Sequence, residues 1–188
     1  ANKLIGLGVQ NVHVQQLGVD LATFTPALRD PSVKAQLGLA EDSRLLIFAG
    51  RGSREKNVPV LLDCMKRLGP EYHLLLVGSH MPAVVPENVS VIDHFCPASE
   101  VARLLASSDA LLHAGDQETF GLVILEAMAS GIPVVAVAAG AFTEIVPETC
   151  GVLCQPNNGA AMASAVQELF NRDRDRKSTR LNSSHNHD

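Results

Sequence analysis

The chain has 188 residues, of which 46% are hydrophobic and 19% are charged, and its formal net charge is −5. This length suits one domain with a substantial core, and this balance is typical of a globular protein rather than a disordered one. The acidic total gives no support to nucleic-acid binding, and no apolar run reaches the ~18 residues of a transmembrane helix.

The two ends of the chain differ from its middle. The sequence begins Ala-Asn-Lys, without a methionine or a signal-peptide pattern, so we expect it to start inside a longer protein. Residues 1–30 are predicted to lead in from a missing N-terminal domain, with one strand candidate at Val12–Gln15. Residues 172–188 have no apolar face and are predicted to form a disordered or only locally helical tail. Because Lys177–His185 resembles translated sequencing-adaptor sequence, we expect this tail not to be native.

Residues 31–171 alternate between buried strands and amphipathic helices. Continuous apolar runs predict strands covered on both faces at Leu45–Ala49, Tyr72–Val77, Ala110–His113 and Val134–Val137. Helical spacing predicts helices at Val58–Leu68, Ser99–Ala106 and Leu122–Ser130, and from Asn158 or Gly159 to Phe170. This alternation predicts right-handed βαβ units and an α/β fold with a Rossmann-like, doubly wound parallel sheet.

The four cysteines are interpreted as structural. They lie in apolar surroundings, and no further Cys/His pair has the spacing to complete a metal site with Cys150 and Cys154. We therefore predict reduced thiols in or near the core of a cytosolic protein, at Cys64, Cys96, Cys150 and Cys154.

Ligands of doubly wound sheets lie beyond the carboxyl ends of the strands, where three polar loops follow predicted strands. In the first, Gly50–Asn57, Arg51 and Lys56 are suited to clamp a diphosphate. The alternative is that these basic residues are only solvated surface side chains. This alternative applies most to Arg54, because the neighbouring Glu55 could pair with it. The other two loops are Gly78–Pro82 and Ala114–Gly121.

Two carboxylates eight positions apart, Glu118 and Glu126, frame a Phe-Gly turn that opens a predicted helix. A helix N-terminus attracts phosphate, and flanking carboxylates suit the hydroxyls of a sugar and a ribose. The alternatives are a helix-capping role for Glu118 and an exposed helix position for Glu126. Together the two residues predict a sugar-nucleotide site.

Other polar residues carry weaker signals. His80 and His113 stand at strand ends, where a structural role is favoured over a catalytic one, and Asp116 and Gln117 are suited to orient a sugar hydroxyl. The one Asp-x-Asp string, Asp173-Arg-Asp175, lies in the tail, so a metal site is not expected. Phosphate-loop, dinucleotide and Gly-x-Ser-x-Gly motifs are missing, which disfavours ATP hydrolysis, hydride transfer and esterase chemistry.

With these residues identified, the chain resembles the retaining glycosyltransferases of family 4 (glycosyl transferases group 1), in their C-terminal, donor-binding half. The resemblance runs from about Gly18 to Phe170 and departs from the common pattern at Leu17, where many relatives have Asn, and at Asn57, where Gly is common. It rests on these motifs in order: Gly18-Val-Asp20 with Phe24, Gly50-Arg51 before Glu55-Lys56, Val77-Gly78, Ser108-Asp109-Ala110, Glu118-Thr-Phe-Gly121, and Leu125-Glu126 through Gly131-Ile-Pro-Val-Val.

The resemblance implies a GT-B architecture, in which this chain supplies the second of two Rossmann-like domains. It implies that Arg51 and Lys56 hold the donor diphosphate and stabilise it as it leaves, and that Glu118 binds the transferred sugar. Glu126 would hold the ribose hydroxyls. The rest of the implied donor site is Gly50, the backbone N–H groups of Phe120, Gly121 and Leu122, and, at the base, the backbone near His94 and Phe95.

The implied reaction is transfer of a sugar, with mannose the best guess, from GDP-mannose or a UDP-sugar with retention of configuration. No cofactor or metal is expected. The acceptor, a glycan or a lipid-linked molecule, and any peripheral contact with the inner membrane would belong to the missing N-terminal domain, so this fragment alone is expected to be inactive. A non-catalytic nucleotide-binding fragment and a GT-B-fold sugar-nucleotide epimerase remain as alternatives.

Overall fold

The computed structural model describes residues 2–13, 17–118 and 120–184, and the side chains up to 172 within these ranges. Its centre is a six-stranded sheet in which every pair of neighbouring strands is parallel. The strands are β1 (Arg44–Ala49), β2 (Tyr72–Gly78), β3 (Val89–Asp93), β4 (Ala110–His113), β5 (Val134–Val137) and β6 (Gly151–Cys154). Their order is β3-β2-β1-β4-β5-β6. This is a doubly wound Rossmann-like sheet, and the predicted fold class is confirmed.

Helices connect the strands and cover the sheet. They are α1 (Asn2–Gly6), α2 (Ser32–Gln36), α3 (Val58–Arg67), α4 (Ala98–Ser107), α5 (Leu122–Ala129), α6 (Phe142–Ile145) and α7 (Gly159–Ser184), with 3-10 turns at Pro26–Leu28 and Arg54–Lys56. No helix within the described residues is both long and apolar enough to cross a membrane.

The four predicted strands are present within one residue of their predicted ends. All of β1 except its first residue is buried, as is all of β4 and β5, because helices cover the central strands on both faces. The sequence did not predict β3 and β6. Both lie at the edges of the sheet, and their burial is interrupted by part-exposed positions. A short edge strand therefore lacks the continuous apolar run that marks a central one.

The predicted reduced thiols are confirmed. Cys64, Cys96 and Cys154 are buried, Cys150 is partly exposed, and all four are free. Burial raises the pKa of the Cys64 thiol to about 12 and that of Cys154 to about 11, so both are protonated at neutral pH.

The last helix, α7, continues into the predicted tail and ends at Ser184. That the tail is disordered or only locally helical stays a prediction. The first half of α7 is held in the core by Met162, Val166 and Phe170. Arg172, near the end of the core-anchored part, pairs with Glu168 one turn earlier.

The N-terminal strand prediction finds no support. Val12 and His13 lie outside regular structure, while the remaining two residues of the predicted strand, 14 and 15, fall outside the described residues. The regular elements of the first 30 residues are instead α1 and the turn at Pro26–Leu28.

Candidate functional site

A cavity of about 590 Å³ opens at the carboxyl edge of the sheet. The strand order reverses between β1 and β4, so the connections leaving these strands run to opposite sides and leave a crevice between them. The loops that follow β1 and β4 both line the cavity, and the first turn of α5 closes it. Eight of the ten predicted site residues are among its lining: Gly50, Arg51, Lys56, Phe95, Glu118, Phe120, Leu122 and Glu126.

Two predicted site residues are not part of this lining. Gly121 is buried at the start of α5, where it is the N-cap residue, and its role in donor binding stays a prediction. His94 is exposed beside Phe95, whose side chain is 83% exposed at the mouth of the cavity. Residues that line the cavity but were not predicted include Ser53, Ser79, Cys96 and Val123.

Lys56 and Glu118 contact each other inside the cavity. Lys56 ends the short 3-10 turn after β1, and its Nζ donates a hydrogen bond to Glu118 Oε2 from the loop after β4. Both side chains are about four-fifths buried, with exposed fractions of 22% and 19%. The residue predicted to hold a diphosphate and the residue predicted to bind a sugar are therefore an ion pair, within reach of the same ligand.

Asn57 joins the loops that carry this pair. It adopts a left-handed conformation (φ 50°, ψ 41°), which explains why a glycine is suited to this position and why asparagine is tolerated. Its Nδ2 donates to Ala114 O (3.3 Å) and to Asn157 Oδ1 (3.1 Å). Asn157 Nδ2 in turn donates to Asp116 Oδ2 (3.0 Å). The loops after β1, β4 and β6 are thus held together.

The two arginines of the first loop differ. Arg51 is exposed and lines the cavity, whereas Arg54 is exposed and lies outside it. Glu55 does not pair with Arg54 as considered from the sequence. Its Oε1 accepts a hydrogen bond from Ser53 Oγ (2.6 Å), and this bond is the main cause that lowers the pKa of Glu55.

Helix α5 begins without a side-chain cap. Its N-cap is Gly121, with φ 64° and ψ 34°. A Cβ there would lie 2.7 Å from Ile145 Cδ1 and 3.1 Å from Phe142 Cε1, so a larger residue does not fit. Within the described residues no side chain caps the first N–H groups, and Leu122 and Val123 line the cavity, so the helix start is suited to receive an anion.

Glu126 lies one turn into α5, half-buried in the cavity lining. Burial raises the pKa of its carboxyl above the usual range for glutamate. A carboxylate removed from water in this way gains from hydroxyl donors, which is the chemistry that a ribose offers.

His113, the last residue of β4, is buried next to the ion pair. Its Nδ1 accepts a hydrogen bond from the Gly115 backbone N–H (3.1 Å), so the ring proton resides on Nε2. Among the residues that the structure describes, Nε2 has no hydrogen-bond partner, and it lies 3.6 Å from Glu118 Oε2. Burial, and secondly the charge of Lys56, lower the pKa of His113 to about 4, while Glu118 opposes the shift. The ring is therefore neutral at physiological pH.

His80 is exposed on the loop after β2, outside the cavity lining, and has φ 63°. The structural role that the sequence favoured for both histidines is compatible with its position. A structural role does not account for Nε2 of His113, which has no hydrogen-bond partner within the described residues.

One group of potential metal ligands is found among the described residues. Ligand atoms of His94, Cys96 and Glu100 all lie within 4.8 Å of one another at the mouth of the cavity. These donor types suit zinc more than magnesium. The group was not predicted from the sequence, because Cys96 was expected in or near the core and His94 near the nucleotide base.

The architecture is the Rossmann-like domain that forms the C-terminal half of GT-B glycosyltransferases. The family model for glycosyl transferases group 1 matches residues 30–185. This match covers most of the chain, and the chain belongs to that family. The resemblance noted from its motifs is confirmed.

Named relatives agree with this assignment. A D-inositol 3-phosphate glycosyltransferase of Xylanimonas cellulosilytica is 34% identical over 188 aligned positions, covering 89% of this chain and 45% of the relative. A GDP-mannose-dependent alpha-(1-6)-phosphatidylinositol dimannoside mannosyltransferase of Mycobacterium tuberculosis is 33% identical, with coverage of 88% and 45%. The chain thus spans a little less than half the length of these relatives.

A solved structure shares the fold. Alr3699/HepE of Anabaena, crystallised in complex with UDP-glucose, superposes with a TM-score of 0.72 and 24% identity. The superposition covers 84% of this chain and 47% of that protein.

Proposed function

We propose that this chain is the donor-binding half of a glycosyltransferase that uses a nucleoside-diphosphate sugar. The observation that carries the proposal is the convergence of Lys56, Glu118, Glu126 and the uncapped start of α5 on one cavity. The family supports transfer as the activity. The shared fold of a protein crystallised with UDP-glucose supports a nucleotide sugar as the donor.

The proposed roles follow from charge and position. Lys56 and Arg51, with the start of α5, surround the diphosphate and stabilise the negative charge that develops as the sugar–phosphate bond breaks. Glu118 accepts hydrogen bonds from hydroxyls of the transferred sugar, and Glu126 does so from the ribose. Because these groups are held in place by the strand ends, little reorganisation is needed when the charge develops.

The finer proposals concern the donor and the stereochemistry. Mannose from GDP-mannose is supported by the name of one relative, the GDP-mannose-dependent mannosyltransferase of Mycobacterium tuberculosis. The Anabaena structure contains UDP-glucose, so a UDP-sugar is the alternative donor. We further propose retention of configuration and catalysis without a metal, with two cations and a helix start in the place of a divalent ion. The acceptor is proposed to bind residues beyond this chain, since the relatives are about twice as long.

Nucleotide binding without transfer is the second candidate function. It is supported by the same observation, that the chain spans less than half the length of these relatives. The 188-residue chain would then bind a nucleotide without transferring a sugar. This outcome is separated from transfer by joining the chain to the remaining half of the protein and measuring sugar transfer from GDP-mannose and UDP-glucose.

The direct test is calorimetric titration of the 188-residue chain with GDP, UDP and ADP. We expect saturable binding of one nucleotide that falls at least about tenfold in Lys56→Ala and in Glu126→Ala. Lys66→Ala and Glu87→Ala, at exposed positions outside the cavity, are the matched controls and should bind like the unmodified chain. If no nucleotide binds, or if both site variants bind like their controls, the proposed site is wrong.

A further inference from the structure

The buried nitrogen of His113 lacks an acceptor. Its side chain is 1% exposed, and Nε2 has no hydrogen-bond partner within the described part of the chain. A buried N–H without an acceptor is costly, and native proteins retain few of them. A buried donor that faces a binding cavity therefore suggests an acceptor that becomes free when a ligand binds.

The ring cannot turn to find another acceptor. Phe142 packs edge-on against it at 4.8 Å, with Phe48 at 5.7 Å, and Nδ1 is held by the Gly115 N–H. At Gly115 itself a Cβ would lie 2.8 Å from His113 Cε1 and 2.8 Å from Glu55 O, so only glycine allows the loop to pass this close. Any acceptor has to come to Nε2.

Glu118 Oε2 is the acceptor in reach, and Lys56 occupies it. The carboxylate oxygen lies 3.6 Å from His113 Nε2, just beyond hydrogen-bonding distance, and it is the same oxygen that accepts from Lys56 Nζ. A shift of roughly half an ångström would bring it to an ordinary N–H···O separation. Both donors face the same oxygen, but only Lys56 is within hydrogen-bonding distance of it.

We propose that His113 is a positioning residue, and that its Nε2–H takes over Glu118 when the donor diphosphate draws Lys56 away. Glu118 then keeps its charge and its orientation toward the sugar, because a neutral imidazole replaces the ammonium as its hydrogen-bond donor. This inference rests on the proposed function, since it needs a diphosphate to compete for Lys56.

The exchange is visible by NMR of the 188-residue chain labelled with ¹⁵N at histidine and lysine. On addition of GDP or UDP we expect the His113 Nε2–H proton to shift downfield as the Lys56 signal changes. Lys56→Ala should produce the same His113 shift without nucleotide, because it removes the competing donor. Lys66→Ala, on the exposed face of α3, is the control and should leave the His113 signal unchanged.

Substitutions of His113 test the consequence for sugar binding. We expect His113→Phe to bind GDP nearly as the unmodified chain does but to lose about tenfold of the extra affinity that GDP-mannose has over GDP. His113→Gln, whose amide is also a donor, should restore part of that affinity. UDP and UDP-glucose form the parallel pair.

The outcomes are distinguishable. If a diphosphate binds and the Lys56 signal changes while the His113 Nε2–H signal does not, the exchange is wrong and the proposed function stands. If neither GDP nor UDP binds, the proposed function fails and this inference fails with it. The NMR measurement uses the unmodified chain, so it holds even where His113→Phe does not fold.

Discussion

Lys56 Nζ and Glu118 Oε2 form a partly buried ion pair between residues 62 positions apart in the chain. The pair places a cation suited to a diphosphate against a carboxylate suited to a sugar, at the reversal of strand order. Each side chain keeps the other in the cavity and compensates part of its desolvation. A ligand that binds both side chains must separate them, so its binding free energy includes the cost of breaking the ion pair.

The first prediction concerns Glu118→Gln. The amide no longer holds Lys56 by charge, so Lys56 reaches a phosphate without breaking an ion pair. We expect GDP or UDP to bind as tightly as before or several-fold tighter, while the extra affinity contributed by the sugar falls by about tenfold. Calorimetric titration with each nucleotide and its sugar derivative measures both, with Glu148→Gln on the surface as control. Weaker diphosphate binding in Glu118→Gln would contradict the assigned roles.

The second prediction is a pH dependence set by Glu126. Burial raises the pKa of this carboxyl, so it takes up a proton at a higher pH than an ordinary glutamate. As pH falls through that pKa, the carboxylate loses its capacity to accept two ribose hydroxyls. We expect the Kd for nucleotide to rise with falling pH, by at most about tenfold per pH unit. Glu126→Gln should bind weakly with this dependence removed; an unchanged pH profile would exclude Glu126 as the group.

The third prediction concerns the stability of the fold. The pKa of His113 is lowered from 6.5 to about 4, so its contribution to stability is full above pH 6.5 and is lost as pH falls toward 4. By linkage the loss amounts to at most on the order of 3 kcal/mol. Urea unfolding at about pH 7 and about pH 4.5 should show a smaller drop for His113→Phe than for the unmodified chain. His73, whose pKa burial also lowers, is present in both proteins and cancels. Equal drops would place the charge-sensitive group elsewhere.

The fourth prediction uses a matched pair of glycines. Gly121 has φ 64° and would bring a Cβ within 2.7 Å of Ile145, whereas Gly18 has no atom within 4 Å of such a Cβ. We expect Gly121→Ala to lower the free energy of unfolding by about 1–3 kcal/mol and to weaken nucleotide binding, because the start of α5 is displaced. Gly18→Ala should change neither. Thermal unfolding and titration of both variants measure this, and a neutral Gly121→Ala would mean that the turn is not strained.

The fifth prediction addresses the proposed independence of metals. Lys56, Arg51 and the start of α5 supply the positive charge at the diphosphate, so nucleotide affinity should be unchanged by EDTA. Restoration of lost binding by Mg²⁺ or Mn²⁺ would contradict this. Added Zn²⁺ is a separate case, since it could occupy His94, Cys96 and Glu100 at the mouth. Any effect of Zn²⁺ should therefore disappear in His94→Ala.

The sequence predicted those elements whose pattern is continuous. The central strands β1, β4 and β5 were predicted because both faces are buried and all their residues except Arg44 and His113 are apolar. The edge strands β3 and β6 were missed because partial exposure interrupts their pattern. The extension of α7 to Ser184 was not predicted, because composition does not show that this helix is anchored in the core before it reaches the tail.

Eight of the ten site residues predicted from the sequence line the cavity, but the contacts among them were not predicted. Local motifs placed Lys56 and Glu118 at strand ends, and a parallel sheet brings such ends to one edge. The hydrogen bonds from Asn57 to Ala114 and Asn157 join positions up to 100 residues apart, and no local sequence pattern predicts them. The positive φ at Asn57 was signalled only by its replacement of a glycine.

By itself, the sequence determined the family, the doubly wound sheet and the residue types at the cavity, because hydrophobic periodicity and short motifs are local properties. Tertiary structure alone decided that Lys56 and Glu118 pair, and that a neutral His113 lies beside them with an N–H that has no partner in the described part of the chain. These properties depend on burial and on distances between residues that follow different strands. The spacing of residues along one strand determines neither the burial nor these distances.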